Sequence, residues 1–516
     1  MEERLNEVEH LFEKLTRYAE SDFYPYHMPG HKRRGFGMLP EELYKLDITE
    51  IDGFDNLHKP EDILRCLQDR AAALYGAEES FYLVNGSTCG ILSAVSCALP
   101  AGGHILMARN CHKSAYHAAY LRGLSVTYLY PPYLEEYDIY DGIEPWQVRQ
   151  ALEREPDIKA VLIVSPTYEG RISDIRAIAH IAHEKRIPLI VDEAHGAHLG
   201  LSKRSVRNSC QLGADLVIHS VHKTLPALTQ SALLHVNGNL IDRGLARRFL
   251  GIYQSSSPSY LLMAGIDNAV EYIGPGAERL FGYFREQYDT MLEQLAACRH
   301  LRILRDIPER QDTGKLLISV KQSEITGKQM YDMLHDKYHL QLEMASESFV
   351  LAMFTVNDGR DAYWRMTEAL LAIDSWLEEQ ARRLRTKTPC KERTARGCAG
   401  TKAVAGKGKD AVPLAAAWDM SSEWIGLTES VGRHIGEFIN LYPPGVPLLV
   451  PGEVMTEPLC GRIRNAIEQG LEVQGIQAGA ERDEQHFFIP VIREEQIKEF
   501  KLVNKEEIER KQRLRI

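Results

Sequence analysis

At 516 residues and a formal net charge of −11, the chain is too long for one hydrophobic core and too acidic for a general nucleic-acid binder. Hydrophobic residues at 44% and charged residues at 26% describe a globular protein, and no run approaches the ~18 uninterrupted apolar residues of a membrane span. The nine cysteines lack any CxxC spacing, and Cys66, Cys89, Cys97, Cys111, Cys210 and Cys298 fall in apolar segments, which argues against a metal cluster or disulfide framework and for free thiols in the cytoplasm.

In chain order, MEERLNEVEHLFEKLTRYAE reads as a charged amphipathic helix without a signal-peptide core. EDILRCLQDRAAALYG follows with apolar residues spaced near 3.6, then the strand SFYLV, the turn NGSTCG and the helix ILSAVSCAL. HILMA, SVTYLY, AVLIVS, PLIVDE, LVIHS and ALLHV read as short buried strands, with helices such as DIRAIAHIAHEKR between them. Near-continuous apolar strands alternating with helices predict an α/β domain, a mostly parallel sheet covered on both faces. Ligands of such sheets bind at the strands' carboxyl ends. With an N-terminal arm, this large domain spans 1–274. A small α+β domain, 275–381, begins with the helical AERLFGYFREQYDTMLEQLAACR and contains the strands KLLISV and FVLAMF. Residues 382–409 carry ten Lys/Arg and one acid with no aromatic residue interleaved, so 382–412 reads as a flexible basic linker rather than a nucleic-acid tail. A C-terminal α+β domain, 413–516, includes the loop YPPGVPLLVPGE.

The chemistry-bearing residues cluster at predicted strand ends. Lys223, in SVHKTLPALTQ, follows the strand ADLVIHS; an amine there, deprived of water, is a candidate nucleophile toward a carbonyl. Alone it reads equally well as a surface loop lysine. Asp192 closes the apolar strand of LIVDEAHGAHLG about thirty residues upstream, and a buried carboxylate needs a cationic or hydrogen-bonding partner. Pyridoxal phosphate fits both: an aldehyde for the lysine and a ring nitrogen that stays protonated beside an aspartate. Gly86, Ser87 and Thr88 lie where a strand turns into a helix, suited to a phosphate. His112, in ARNCHKSAY, suits stacking on a ring, or else is an ordinary loop histidine. His195 is a candidate near the ring oxygen, and His198 reads as a core or surface histidine. No metal is expected.

The segments FYPYHMPGHKRRGFG, DITEIDGFDNLH, NGSTCG, RNCHKSAY, SPTYEG, VDEAHGAH, SVHKTLPALTQ, SSSPSYLLMAGID and YPPGVPLLVPGE occur in this order. Together they resemble the Orn/Lys/Arg decarboxylase family, in its short bacterial form without an N-terminal wing domain. The resemblance implies the aspartate-aminotransferase-like fold (fold type I) and pyridoxal phosphate as cofactor. By motif, Lys223 is similar to the lysine that holds the cofactor, Asp192 to the partner of the ring nitrogen and His112 to the stacking histidine. Ser87, Thr88, Ser220 and His222 resemble the phosphate-side residues. Ser256 and Ser257 resemble serines that reach the neighbouring subunit's phosphate, which implies a homodimer, or a larger assembly, with shared active sites. Position 195 departs from the larger enzymes, which carry tryptophan there. Gly30, Gly35 and Gly37 suit tight turns near the entrance, and Asp55, Glu169 and Glu453 are candidates for holding a distal cation.

The implied activity is α-decarboxylation of arginine, lysine or ornithine, with arginine or lysine favoured, giving CO2 and a polyamine precursor. Lys223 or His222 is the candidate proton donor to Cα. The expected partner is a small basic amino acid, not nucleic acid or membrane. Two alternatives stay open: another fold type I enzyme, an aminotransferase or carbon–carbon lyase, and a catalytically silent homologue that binds a partner.

Overall fold

The computed structural model describes residues 9–35, 39–387, 411–443, 445–479 and 487–513. Its large domain is built on seven strands: β1 (Glu79–Leu83), β2 (His104–Ala108), β3 (Ser125–Leu129), β4 (Ala160–Val164), β5 (Leu189–Asp192), β6 (Leu216–His219) and β7 (Ala232–Val236). Their order across the sheet is β1-β7-β6-β5-β4-β2-β3. All neighbours are parallel except β7, which runs antiparallel to both β1 and β6.

The sheet is covered on both faces because its strands are apolar on both. In and after β1, Phe81 and Leu83 enter one core while Tyr82 and Val84 enter the other. The first core takes side chains from helices Gly86–Ala98, Lys113–Leu121, Ile175–Glu184 and Arg243–Tyr253. The second takes them from Leu11–Glu20, Ile63–Tyr75 and Tyr260–Ile273. Helix Ile63–Tyr75 shows how sequence sets these elements. Ile63, Leu64, Leu67, Ala71 and Tyr75 recur on one face and are buried, and Gly76, at φ +67°, ends the helix in the left-handed conformation.

Asp55 belongs to the same local structure. Its carboxylate accepts the backbone N–H groups of Asn56, Glu61, Asp62 and Leu64 at 2.8–3.2 Å, which fastens the start of that helix. This makes Asp55 a cap rather than a ligand for a substrate cation.

The small domain has a four-stranded antiparallel sheet containing Lys315–Ser319 and Phe349–Met353, flanked by helices Ala277–Leu295 and Arg360–Lys387. Residues 382–387, expected in the linker, continue the latter helix. Residues 388–410 of the basic segment and Gly37 lie outside the described residues. The C-terminal domain contains two three-stranded sheets and helix Glu457–Glu468 around its own core of Ile435, Ile439, Leu459 and Ile463.

A buried ion pair fixes the C-terminal domain on the large one. Arg109, just past β2, meets Glu453 through Nε–Oε1 at 3.0 Å and Nη2–Oε2 at 2.8 Å. Its guanidinium also donates to Tyr116 Oη and to the carbonyls of Pro447 and Leu448. Glu453 is therefore engaged between domains and is not a free carboxylate for substrate.

Candidate active site

The carboxyl ends of β1, β5 and β6 converge. After β6 the chain passes Ser220 into a one-turn helix, Val221–Thr224, which carries His222 and Lys223. After β1 it turns through Gly86, at φ +71°, whose amide donates to Gln230 O at 3.0 Å. That conformation strains any residue with a Cβ. Helix Gly86–Ala98 starts there, and the side chain of its N-cap, Asn85, makes no capping bond. Its first-turn amides carry the positive end of the helix dipole and suit an anion. Ser220 Oγ donates to Ser87 Oγ at 2.9 Å, which brings the two turns together, and Thr88 is exposed beside them.

Asp192 ends β5 with 4% of its surface exposed, and its Oδ1 accepts Ala194 N–H at 3.2 Å. Burial raises the affinity of its carboxyl for a proton, opposed by the charge of Lys223. Burial lowers the proton affinity of the Lys223 amine, partly restored by Asp192 and Glu343. This explains an amine at position 223: desolvation makes its neutral, nucleophilic form accessible.

His112 caps helix Lys113–Leu121, its Nδ1 accepting Ser114 N–H at 3.2 Å. Burial, then Lys223, pushes its imidazolium down to about 4, so the ring is neutral. Gly445, from the proline-rich C-terminal loop, packs against the same ring: a Cβ there would lie 2.8 Å from His112 Nε2. His195 is 7% exposed, and its Nε2 lies 3.1 Å from Lys223 Nζ. His222 is partly buried and tethered through Nδ1 to Ser231 O at 2.8 Å. Ser256 and Ser257 sit on an exposed loop before helix Tyr260–Ile273, where the Ser257 backbone bonds the Ser255 side chain, away from the Lys223 cluster.

The structure adds residues that sequence reading did not single out. Lys315, the first residue of its strand, is fully buried, and its Nζ lies 2.8 Å from His195 Nδ1. Tyr168 packs edge-on against His195, lies under Lys315 Nζ and donates its hydroxyl to Glu343. His198 bonds Asp312 across the domain boundary at 2.8 Å, a structural contact. Of the three candidate acids for a distal cation, Glu169 remains, one of several acids near Lys315; burial raises its carboxyl, opposed by a hydrogen bond from Thr167. It lines a cleft between the three domains together with Tyr168, Tyr442, Arg462 and Glu472.

The donor set suits pyridoxal phosphate: an uncapped helix N-terminus with two facing serines, a buried acid, a neutral ring and a desolvated amine. Residues 9–352 match the family model of the Orn/Lys/Arg decarboxylase major domain. The chain is 31% identical to an arginine decarboxylase of Bacillus subtilis over 484 residues, covering 90% of this chain and 95% of that protein. It is 30% identical to an arginine decarboxylase of Halalkalibacterium halodurans, covering 90% and 94%. Among solved structures, the lysine decarboxylase of Francisella novicida superposes with a TM-score of 0.78 at 16% identity, covering 95% of this chain and 82% of that one, which establishes the shared fold. The chain belongs to the Orn/Lys/Arg decarboxylase family, with its fold type I architecture and its decarboxylation of basic amino acids.

Proposed function

We propose that this enzyme uses pyridoxal phosphate to remove the α-carboxylate of L-arginine, in the cytoplasm and as a homodimer. The observation that carries the reading is the partly buried Lys223 amine, held beside buried Asp192 and the Ser87–Ser220 pair at the carboxyl ends of β1, β5 and β6. Arginine is favoured because four of five relatives matched in sequence along at least 94% of their own length are named arginine decarboxylases, at 29–31% identity, whereas a lysine decarboxylase of Pseudomonas aeruginosa, which shares the fold, aligns in sequence with only 57% of the chain at 25% identity.

The bound cofactor would supply the electron sink for the bond pair left on Cα as CO2 departs. The remaining work falls to the chain's own residues. Ser87, Thr88, Ser220, His222 and the first-turn amides of Gly86–Ala98 would take the phosphate, with Ser256 and Ser257 reaching it from the neighbouring subunit. Asp192 would keep the ring nitrogen protonated, His112 would lie against the ring, and His195 would lie near its phenolic oxygen. Lys223 would hold the carbonyl carbon and, once displaced by substrate amine, move a proton at Cα, with His222 as the second candidate donor. Glu169 is the acid we assign to the distal guanidinium, since Asp55 and Glu453 are committed elsewhere.

A panel of arginine, lysine and ornithine, with products separated by chromatography, tests the reading. Agmatine from arginine should dominate by about tenfold or more in kcat/KM, equivalent to ~1.4 kcal/mol of transition-state discrimination. Preferential turnover of lysine or ornithine would overturn the substrate assignment, and transamination without CO2 release would overturn the reaction.

A further inference from the structure

His195 stands between two lysines, with Nδ1 2.8 Å from Lys315 Nζ and Nε2 3.1 Å from Lys223 Nζ. Hydrogen-bond valence restricts how these three groups can be protonated. An ammonium only donates, and a neutral imidazole has one N–H and one acceptor nitrogen. Two ammonium groups would require both ring nitrogens to accept, which a neutral ring cannot do. An imidazolium would require two neutral amines around a buried cation. One ammonium, one neutral amine and a neutral ring satisfies both contacts; two neutral amines would also satisfy them, but would leave the acids facing Lys315 without a cation.

The surroundings decide where the charge rests. Lys315 faces Asp312, Glu343 and Glu169 and lies 5.6 Å from the centre of the Tyr168 ring. Lys223 faces Asp192 and Glu343 among acids and His112 among bases. His195 also faces His112 and His198, both unable to supply negative charge. The three acids and the ring face favour the ammonium on Lys315. Its proton then bonds His195 Nδ1, and the Nε2–H points at the lone pair of Lys223.

We propose that Lys315, His195 and Lys223 form a single-proton relay that keeps the free Lys223 amine neutral and delivers a proton to it once substrate amine has displaced it during turnover. The transfer balances within the chain: Lys315 gives its proton to His195 Nδ1, and the Nε2 proton passes to Lys223. Lys315 ends neutral, Lys223 ends as an ammonium, and the ring ends in its other tautomer. Lys315 is thus a positioning residue that acts through His195. The proposal deepens the assignment of Lys223 as the reactive amine and rests on it.

The test is trace acetylation of the full-length chain, freed of cofactor, from pH 5 to pH 10, with modification of Lys223 read by mass spectrometry. It needs no bound cofactor, so its outcome is separable from that of the cofactor assignment. The wild-type midpoint should lie below the ordinary lysine value of about 10.4. Lys315→Met removes the cation and frees Nδ1, so the midpoint should rise and labelling at pH 7 should fall about tenfold, as for a one-unit shift. Lys315→Arg keeps a permanent donor that cannot release its proton, so Lys223 labelling should stay at the wild-type level while kcat falls. Circular dichroism confirms that each variant is folded. A wild-type midpoint near that of an ordinary lysine, or equal labelling profiles in wild type and a folded Lys315→Met, would overturn the relay. If Lys315→Arg does not fold, the wild-type midpoint and the Lys315→Met shift decide the matter.

Discussion

Glu453→Gln tests how the C-terminal domain is held over the site. The Arg109 and Glu453 side chains are each 6% exposed and joined by two hydrogen bonds of 2.8 and 3.0 Å. The substitution keeps the shape of the side chain but removes its charge, and it turns an NH2 toward the guanidinium. Arg109 is left buried and cationic, supported only by Tyr116 and two carbonyls. Losing one partner of a buried pair costs about 3–5 kcal/mol, or an increase of roughly 10²–10⁴-fold in the undocked population. Hydrogen exchange is the direct assay. The Lys113 amide, which donates to Gly445 O at 3.1 Å, should lose protection, as should the backbone around 447–450. Affinity for pyridoxal phosphate should fall with it, because Gly445 rests on His112. Replacing both partners by apolar residues, Arg109→Met with Glu453→Leu, should restore much of the protection. Unchanged exchange in Glu453→Gln, together with a raised KM for arginine, would refute the docking role and return Glu453 to the substrate's distal cation.

Further outcomes follow from the same geometry. Gly445→Ala places a methyl 2.8 Å from His112 Nε2, so loop and ring must part; overpacking of this kind costs about 1–3 kcal/mol, and fluorescence titration should show pyridoxal phosphate binding weakened about tenfold or more. His112 has its imidazolium depressed to about 4 in the fold against about 6.5 unfolded, so the unfolded chain binds the extra proton. The associated stability, on the order of 3 kcal/mol, is complete above pH 6.5 and lost as pH falls toward 4. Thermal scans over that window should decline less steeply in His112→Phe than in the wild type; parallel declines would show that His112 is not depressed.

Much of the sheet was legible because its strands are short, apolar and separated by amphipathic helices. Lys223, Asp192 and Ser87, which the fold brings to one end of the sheet, stand out in the sequence for a related reason: each breaks polarity at the end of an apolar strand, where ligands collect. What escaped depended on contacts distant in sequence. Glu453 lies 344 residues from Arg109, and without that partner its carboxylate looked available. Asp55 caps a helix that starts eight residues later, beyond the spacing of a local N-cap signal. Lys315 opens an ordinary apolar strand, and the histidine that explains it is 120 residues away. Its only local signal is a lysine entering a continuous apolar run, which a snorkelling side chain would also produce. The start of the linker was misplaced because basic composition does not stop a helix: residues 382–387 lack Pro and Gly, and the helix continues.

The central claim is that the Lys223 amine, and not its buried neighbour Lys315, carries the cofactor. Borohydride reduction of the enzyme loaded with pyridoxal phosphate, followed by peptide mass spectrometry, reads this directly. The account predicts one stable pyridoxyl adduct, on Lys223, absent from Lys223→Ala along with nearly all turnover. An adduct on Lys315, or sustained decarboxylation by Lys223→Ala, would contradict it.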